Sequence, residues 1–225
     1  MSEKSDARSV PVDVTMRRPT LFAVPAMPIL AAPLLVRRAQ MEEAGALAAL
    51  LGRAFAAESW DAAGTERELF CDETVRATLV VAAEGRLVAT ASLQVRSDVP
   101  ECGWVRWVAT DLDRRRKGLA RALVIGVLAM ARQAGCREAR LHTRTDRLAA
   151  IALYLQLGFE PLVTGDPERE VWERVIRLLS GEVGVVALRR WLANSALHPT
   201  SLRRHDLRVD RDHSRRLLAG ERQVR

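Results

Sequence analysis

Val108-Ala109-Thr110-Asp111-Leu112-Asp113-Arg114-Arg115-Arg116-Lys117-Gly118-Leu119-Ala120-Arg121-Ala122-Leu123 is the stretch on which the reading of the chain turns. Its first residues close an apolar run, Cys102–Thr110, that reads as a strand. A short polar loop follows. From Leu119 to Gln133 the chain is apolar nearly all round, as a buried helix is. A strand that passes through a basic turn into a helix has a direct chemical use. The first N–H groups of a helix have no partner within it, and its dipole puts partial positive charge there, so the turn can hold a phosphate. Gly118 and Ala120 are small enough for a pyrophosphate to approach the backbone. Arg114, Arg115, Arg116 and Lys117 add charge beside it. By spacing alone, a basic loop that merely opens a buried helix reads equally well. The turn has neither the G-K-[ST] of a Walker loop nor the dense glycines of a Rossmann fingerprint.

Working outward, the period of the sequence changes on both sides of this turn. Upstream, Ala77–Ala83 and Arg86–Val95 flank Glu84-Gly85, a hairpin signature. Before them, Gln40–Ala57 carries apolar residues at Met41, Ala44, Leu47, Leu50, Leu51 and Phe55, the spacing of a helix. Asp61–Phe70 reads as a second helix with Asp61 as its cap, and Leu34–Arg38 as a short strand. Downstream, Gly135 stops the central helix, Ala139–His142 alternates as a strand, and Leu148–Leu157 is a helix closed by Gly158. Phe159–Val163 and Glu170–Leu178 read as the last two strands. This order of elements predicts an α/β fold of three layers, with a mixed, mostly antiparallel sheet and helices on both faces.

The ends differ from the middle. Residues 1–32 hold four prolines and no sustained period, and are expected to be a disordered arm. Leu21–Val36, after Arg17 and Arg18, has the look of a secretory signal, but Pro25, Pro28 and Pro33 break the helix such a signal needs. Residues 33–180 are expected to form the domain, and 181–225 an Arg-rich disordered tail. The net charge of +7 is concentrated there, with ten arginines against four acids from Val186 to Arg225. A nucleic-acid footprint is a patch on a folded face, so nucleic acid is not the expected partner. The apolar stretches are too short and broken to span a bilayer. Cys71, Cys102 and Cys136 are odd in number and far apart, which suits a reducing, cytoplasmic setting and gives no metal site.

Tyr154 is the only tyrosine of the chain. It lies in Ala150-Ile151-Ala152-Leu153-Tyr154-Leu155-Gln156-Leu157-Gly158-Phe159, among apolar neighbours. Its ring could simply pack in a core. Its phenol, with a pKa of about 10, could also protonate a departing thiolate.

Taken in order, Val108-Ala109-Thr110, Arg115-x-x-Gly118-x-Ala120 and the Tyr154 segment resemble the GNAT superfamily of acetyl-CoA-dependent N-acetyltransferases, over roughly Leu34 to Leu178. The resemblance implies that the main chain of Val108, Ala109 and Thr110 binds the pantetheine arm of acetyl-CoA and polarises the thioester. It implies that Arg115, Arg116, Lys117, Gly118, Leu119 and Ala120, with Arg121 and Ala122 close by, hold the pyrophosphate. It makes Tyr154 the general acid to the leaving thiolate. An amine then attacks the thioester directly, with no metal. The general base is expected to be Glu101, with Asp98 or Glu58 behind it, and Ala57, Glu58, Ser59 and Trp60 are expected to line the acceptor site. The protein would act as a monomer or homodimer; the alternative is a non-catalytic acyl-CoA-binding regulatory module. The chain departs from the family pattern at Leu112, where a proline is common, at Arg116, usually glycine, and at Arg147, often asparagine.

Overall fold

A seven-stranded sheet organises the chain in the computed structural model, which describes residues 10–56 and 58–179. Its strands are β1 (Asp13–Arg18), β2 (Leu35–Arg38), β3 (Val75–Ala83), β4 (Arg86–Val95), β5 (Cys102–Thr110), β6 (Glu138–Arg144) and β7 (Glu160–Pro161). In space they run β2-β3-β4-β5-β6-β1-β7. Only β5 and β6 pair in parallel; the other neighbours are antiparallel. The hairpin of β3 and β4 turns at Glu84 (φ 52°) and Gly85 (φ 75°), the two left-handed residues of a tight primed turn.

Side chains of a strand alternate between faces, and here the two faces bury different helices. Leu79 and Val81 of β3 point into a large core with α3 (Leu119–Gln133), α4 (Leu148–Gln156) and α5 (Asp166–Leu178). Val80 between them points into a smaller core with α1 (Ala44–Ala54) and a π-helical turn, Arg67–Cys71. The carboxylate of Asp61 caps α2 (Ala62–Glu66), its Oδ1 accepting the Gly64 N–H at 2.6 Å. The predicted three layers are present. Among the described residues, no helix is long and apolar enough to cross a membrane.

Two expectations are corrected. The N-terminal arm was expected to lack structure, yet Asp13–Arg18 forms β1, inserted between β6 and β7. Met16 of β1 lies opposite Leu141 and Pro161 and is fully buried. Arg18, also buried, anchors the strand's end: Nε donates to the Thr20 carbonyl at 3.0 Å, Nη2 to the Ala23 carbonyl at 2.7 Å, and Nη1 to the Leu157 carbonyl at the end of α4. Residues 19–34 then carry the chain across to β2, with Leu21 buried and its N–H bonded to the Arg137 carbonyl at 2.9 Å. The second correction concerns Glu170–Leu178, which is helical as part of α5. Trp172, Val175 and Ile176 are its buried residues, followed by Leu179 at its cap, a spacing of three and four rather than two. The Arg-rich tail lies outside the described residues, as does Ala57.

Candidate active site

The site begins where two strands part. β5 and β6 pair only from Cys102 opposite Glu138 to Val105 opposite Leu141. The ladder of β5 with β4 shifts register between Thr90 and Ser92, and Trp107 there has φ 53°. A bulge of this kind bends a strand. Beyond it Arg106–Thr110 leave β6 and follow β4 alone, with Thr90 opposite Ala109 and Ala89 opposite Thr110. A wedge opens between β5 and β6 beside the main chain of Val108, Ala109 and Thr110. Among the described residues, the buried Thr110 Oγ1 has no hydrogen-bond partner, so a group entering the wedge would find a buried hydroxyl to satisfy.

The basic turn sits at the end of this wedge. Asp111 fixes its start: its N–H donates to the Val88 carbonyl at 2.8 Å, its Oδ1 accepts the Leu112 N–H at 2.9 Å, and its Oδ2 lies 3.2 Å from Arg53. Arg116 (φ 61°) and Gly118 (φ 76°) then turn the chain through left-handed conformations. The first bond of α3 runs from the Ala122 N–H to the Gly118 carbonyl at 3.0 Å, which leaves the amides of Leu119, Ala120 and Arg121 outside the helix's own bonding. Among the described residues, a Cβ built on Gly118 would meet nothing within 4 Å, which leaves space above the turn. Arg115, Arg116 and Lys117 are exposed beside it, whereas the side chains of Leu119 and Ala122 belong to the core and leave only their backbone to the turn. Arg121 reaches across to α4, Nη1 donating to the Gln156 Oε1 at 3.3 Å.

Arg116 occupies a conformation that costs an L-residue about 1–2 kcal/mol. Arg116→Gly is therefore expected to stabilise the domain by about 1 kcal/mol and raise its melting midpoint by a few degrees. Thermal unfolding checks it; an unchanged or lower midpoint would mean the turn holds no strain.

Tyr154 lies on α4, buried, with its ring edge-on to Phe159 at 5.8 Å. Burial pushes its phenol up to about 12, against a smaller downward pull from Arg147. Arg147 caps α4 with its carbonyl, which accepts N–H groups from Ala150 and Ile151 at 3.0 Å. It precedes Tyr154 by seven residues, two turns, and so shares its face of the helix. Its guanidinium stands 4.8 Å over the ring of Phe55. Phe55 in turn meets Trp107 edge-on at 6.0 Å, and Trp60 meets Trp107 edge-on at 4.7 Å. The helix of Tyr154, the end of α1 and the bulged strand thus close around one corner.

Glu58 belongs to that corner. Its N–H donates to the Phe55 carbonyl at 2.9 Å. Its side chain is exposed, yet the protein around it raises the carboxyl pKa by desolvation. Arg147 and then Arg106 pull it back down; Glu68 and Asp13 push it up. Glu101, the expected base, is elsewhere. It precedes the first residue of β5, its carbonyl accepting from the Arg137 N–H at 2.7 Å. Thr110 is at the other end of that strand, up to roughly 30 Å away at about 3.3 Å per residue. Asp98 is also at that far end and is paired with Arg96 at 2.6 Å. Neither carboxylate is brought to Tyr154.

Sequence reading did not single out Phe55, Arg106 and Trp107, which meet at this corner. One signal was available: in Trp104-Val105-Arg106-Trp107-Val108 the alternation of a strand breaks at Arg106-Trp107. Consecutive side chains there share a face, with the Arg106 guanidinium 5.0 Å over the Trp107 ring.

A family model described as the acetyltransferase (GNAT) family matches residues 46–159. Human N-acetyltransferase 8 is 44% identical over 68 residues, 30% of this chain and 29% of that protein. The chain thus matches less than a third of the length of this curated relative. A GNAT-family acetyltransferase structure from Novosphingobium aromaticivorans has a TM-score of 0.51 at 25% identity, covering 68% of this chain and 60% of that one. A GCN5-related N-acetyltransferase from Sphaerobacter thermophilus has a TM-score of 0.56 at 22% identity, covering 67% and 48%, a likeness of fold.

Proposed function

The chain belongs to the acetyltransferase (GNAT) family, and from that premise we propose that it transfers the acetyl group of acetyl-CoA to a primary amine by direct attack. The observation that carries this proposal is the wedge between β5 and β6, which leads to a turn of unused amides at the start of α3. Acetyl-CoA supplies the acyl group as an activated thioester. The main chain of Val108, Ala109 and Thr110 would flank its pantetheine arm, with the buried Thr110 hydroxyl as a further partner. A backbone N–H of this strand would stabilise charge growing on the thioester oxygen. The amides from Arg115 to Ala122, with the charges of Arg115, Arg116 and Lys117, would hold the pyrophosphate.

Tyr154 would donate its proton to the leaving sulfur. A phenol near 12 is a weak acid beside a thiol in water, at about 8.5. Burial acts on thiols as well: it pushes the buried Cys102 thiol to about 12 in this protein. A phenol and a sulfur desolvated alike are matched for proton transfer. Glu58 takes the role first given to Glu101. Its raised pKa brings it toward operating pH, where a base is most effective. The acceptor would lie along Glu58, Ser59 and Trp60. With this function goes a cytoplasmic setting, suited to the free cysteines Cys71, Cys102 and Cys136, and a monomer or homodimer as the working unit.

The test is thiol release from acetyl-CoA against a panel of amines. Release with at least one amine supports transfer; tight acetyl-CoA binding with no release by any amine would favour a non-catalytic acyl-CoA-binding module. Gly118→Glu is expected to weaken acetyl-CoA binding at least about tenfold, roughly 1.4 kcal/mol, by setting a carboxylate in the open space above the turn. Calorimetry reads this directly, and unchanged affinity would remove the turn from the cofactor site.

A further inference from the structure

Residues 19–34 join β1 to β2 as a strap beside α3 and take no part in the acetyl-transfer site. The strap has an inner and an outer side. Leu21 is buried, and Val24, Leu30 and Leu34 pack against the large core. A Cβ built on Gly126 of α3 would lie 3.3 Å from the Met27 Sδ, so the strap runs close along the helix. Phe22 and Ile29 stand out from it, 90% and 99% exposed. Single exposed apolar side chains are ordinary on a protein surface. This run is not, because residues 19–34 hold no charged side chain and Thr20 is the only polar one.

The backbone of the strap makes few demands on water. Pro19, Pro25, Pro28 and Pro33 have no N–H to satisfy. The N–H groups of Leu21, Phe22 and Leu34 donate to the Arg137 carbonyl at 2.9 Å, the Thr20 Oγ1 at 3.2 Å and the Ala31 carbonyl at 3.1 Å. The Thr20 and Ala23 carbonyls accept from Arg18, and the Phe22 carbonyl accepts from the Arg132 Nη1 at 3.5 Å. Irregular chain enters an apolar medium only where its peptide groups are satisfied, and these are. The surrounding charge has one sign. No acid stands between Asp13 and Glu42 in sequence, and α3 carries none. Arg132 and Arg137 are exposed at one end of the strap. Arg38 is exposed at the other, two residues after Val36 and so on the large-core face of β2. Among the described residues, none of these three has an ion pair. The acids that come near are Glu101, whose carbonyl accepts the Arg137 N–H at 2.7 Å, and two that are already paired: Glu138 with Arg17 and Arg140, and Glu43 with Arg37.

We propose that the strap is a membrane-docking surface: Phe22 and Ile29 enter the interfacial zone of an anionic phospholipid bilayer, and Arg38, Arg132 and Arg137 meet its headgroups. Apolar side chains flanked by cations suit such a surface, on which a protein lies without spanning it. A second copy of the chain would instead bring the same cations against each other. The ten arginines against four acids from Val186 to Arg225 add attraction of the same sign. Nothing in this depends on acetyl transfer. Full-length protein is mixed with vesicles of phosphatidylcholine, with or without about 30% phosphatidylserine, and the bound fraction is read by sedimentation. Binding to the serine-containing vesicles should be at least about tenfold tighter and should weaken as salt rises. Phe22→Ser with Ile29→Ser should lower that affinity at least about tenfold, with the melting midpoint unchanged because both side chains are exposed. The double variant keeps every arginine, so undiminished binding by it would assign the attraction to charge alone and overturn the role of the strap. Phe22→Trp gives a second readout: brominated acyl chains should quench its added indole beyond the signal of the five native tryptophans. No vesicle binding, equal binding to both compositions, or no added quenching would each refute the assignment. So would a wild-type dimer in analytical ultracentrifugation that the double variant abolishes, since the strap would then seat a second copy.

Discussion

Tyr154→Phe should lower kcat by about 10²–10⁴-fold, the usual contribution of a positioned general acid, while the affinity for acetyl-CoA stays unchanged. The substitution removes one oxygen and keeps the ring, which packs on Phe159 in the large core. Folding should therefore survive, and a circular-dichroism spectrum and melting curve will show whether it does. No second tyrosine exists in the chain to stand in for the lost phenol. Because burial raises the phenol to about 12, it stays protonated through the mildly alkaline range. The wild-type rate should not fall there through loss of this proton, whereas it should fall on the acid side as Glu58 becomes protonated, above the usual carboxylate range. A Tyr154→Phe enzyme with full turnover would end the acid assignment.

The second large effect concerns the fold. Met16→Asp should abolish cooperative folding. Met16 is fully buried in β1, opposite Leu141 on one neighbour and Pro161 on the other. A carboxylate placed there has no partner, and burying an unpaired charge or forcing its protonation costs several kcal/mol. That is comparable to the whole stability of a domain, about 5–15 kcal/mol. Val10→Asp is the control: Val10 is 80% exposed, and such a change is expected within about 0.5 kcal/mol of neutral. Thermal unfolding of the two proteins side by side gives the answer. If Met16→Asp melted with the wild type, β1 would not be part of the sheet.

The parts of the fold that were legible in the sequence are those specified by local rules. Glu84-Gly85 announces its hairpin because the turn demands two left-handed residues. Leu119–Gln133 was bounded to the residue, since Gly118 opens it and Gly135 (φ 87°) closes it. β1 was not legible. Its sequence alternates polar and apolar for five residues, Asp13 to Arg17, but its neighbours are prolines and its partner lies far along the chain. α5 was legible and misread: Asp166-Pro167 marks a helix start, and Trp172, Val175, Ile176 and Leu179 keep helical spacing. Of the candidate site, the basic turn and Tyr154 could be singled out because each lies within one short segment. The corner of Phe55, Trp60 and Trp107 could not, since it joins the ends of α1, β5 and the loop before α4, and its key feature is a bulge. Glu101 lies away from that corner for a simpler reason. A strand has two ends, and the basic turn follows the one that Glu101 does not precede.

The insertion of β1 also has a bearing on how the protein is made. Thr15 bonds to His142, 127 positions later, at 3.0 Å. On a ribosome, at about 5–20 residues per second, the first strand of this sheet emerges many seconds before the strands that will hold it on either side. Until then its hydrogen-bonding edges and Met16 have no native partner. Joining such distant segments is also what slows folding most, since the entropy of a long loop is lost before any contact is gained. The half-built sheet thus waits with an open slot beside β6, and the nascent chain's own first strand must return to fill it.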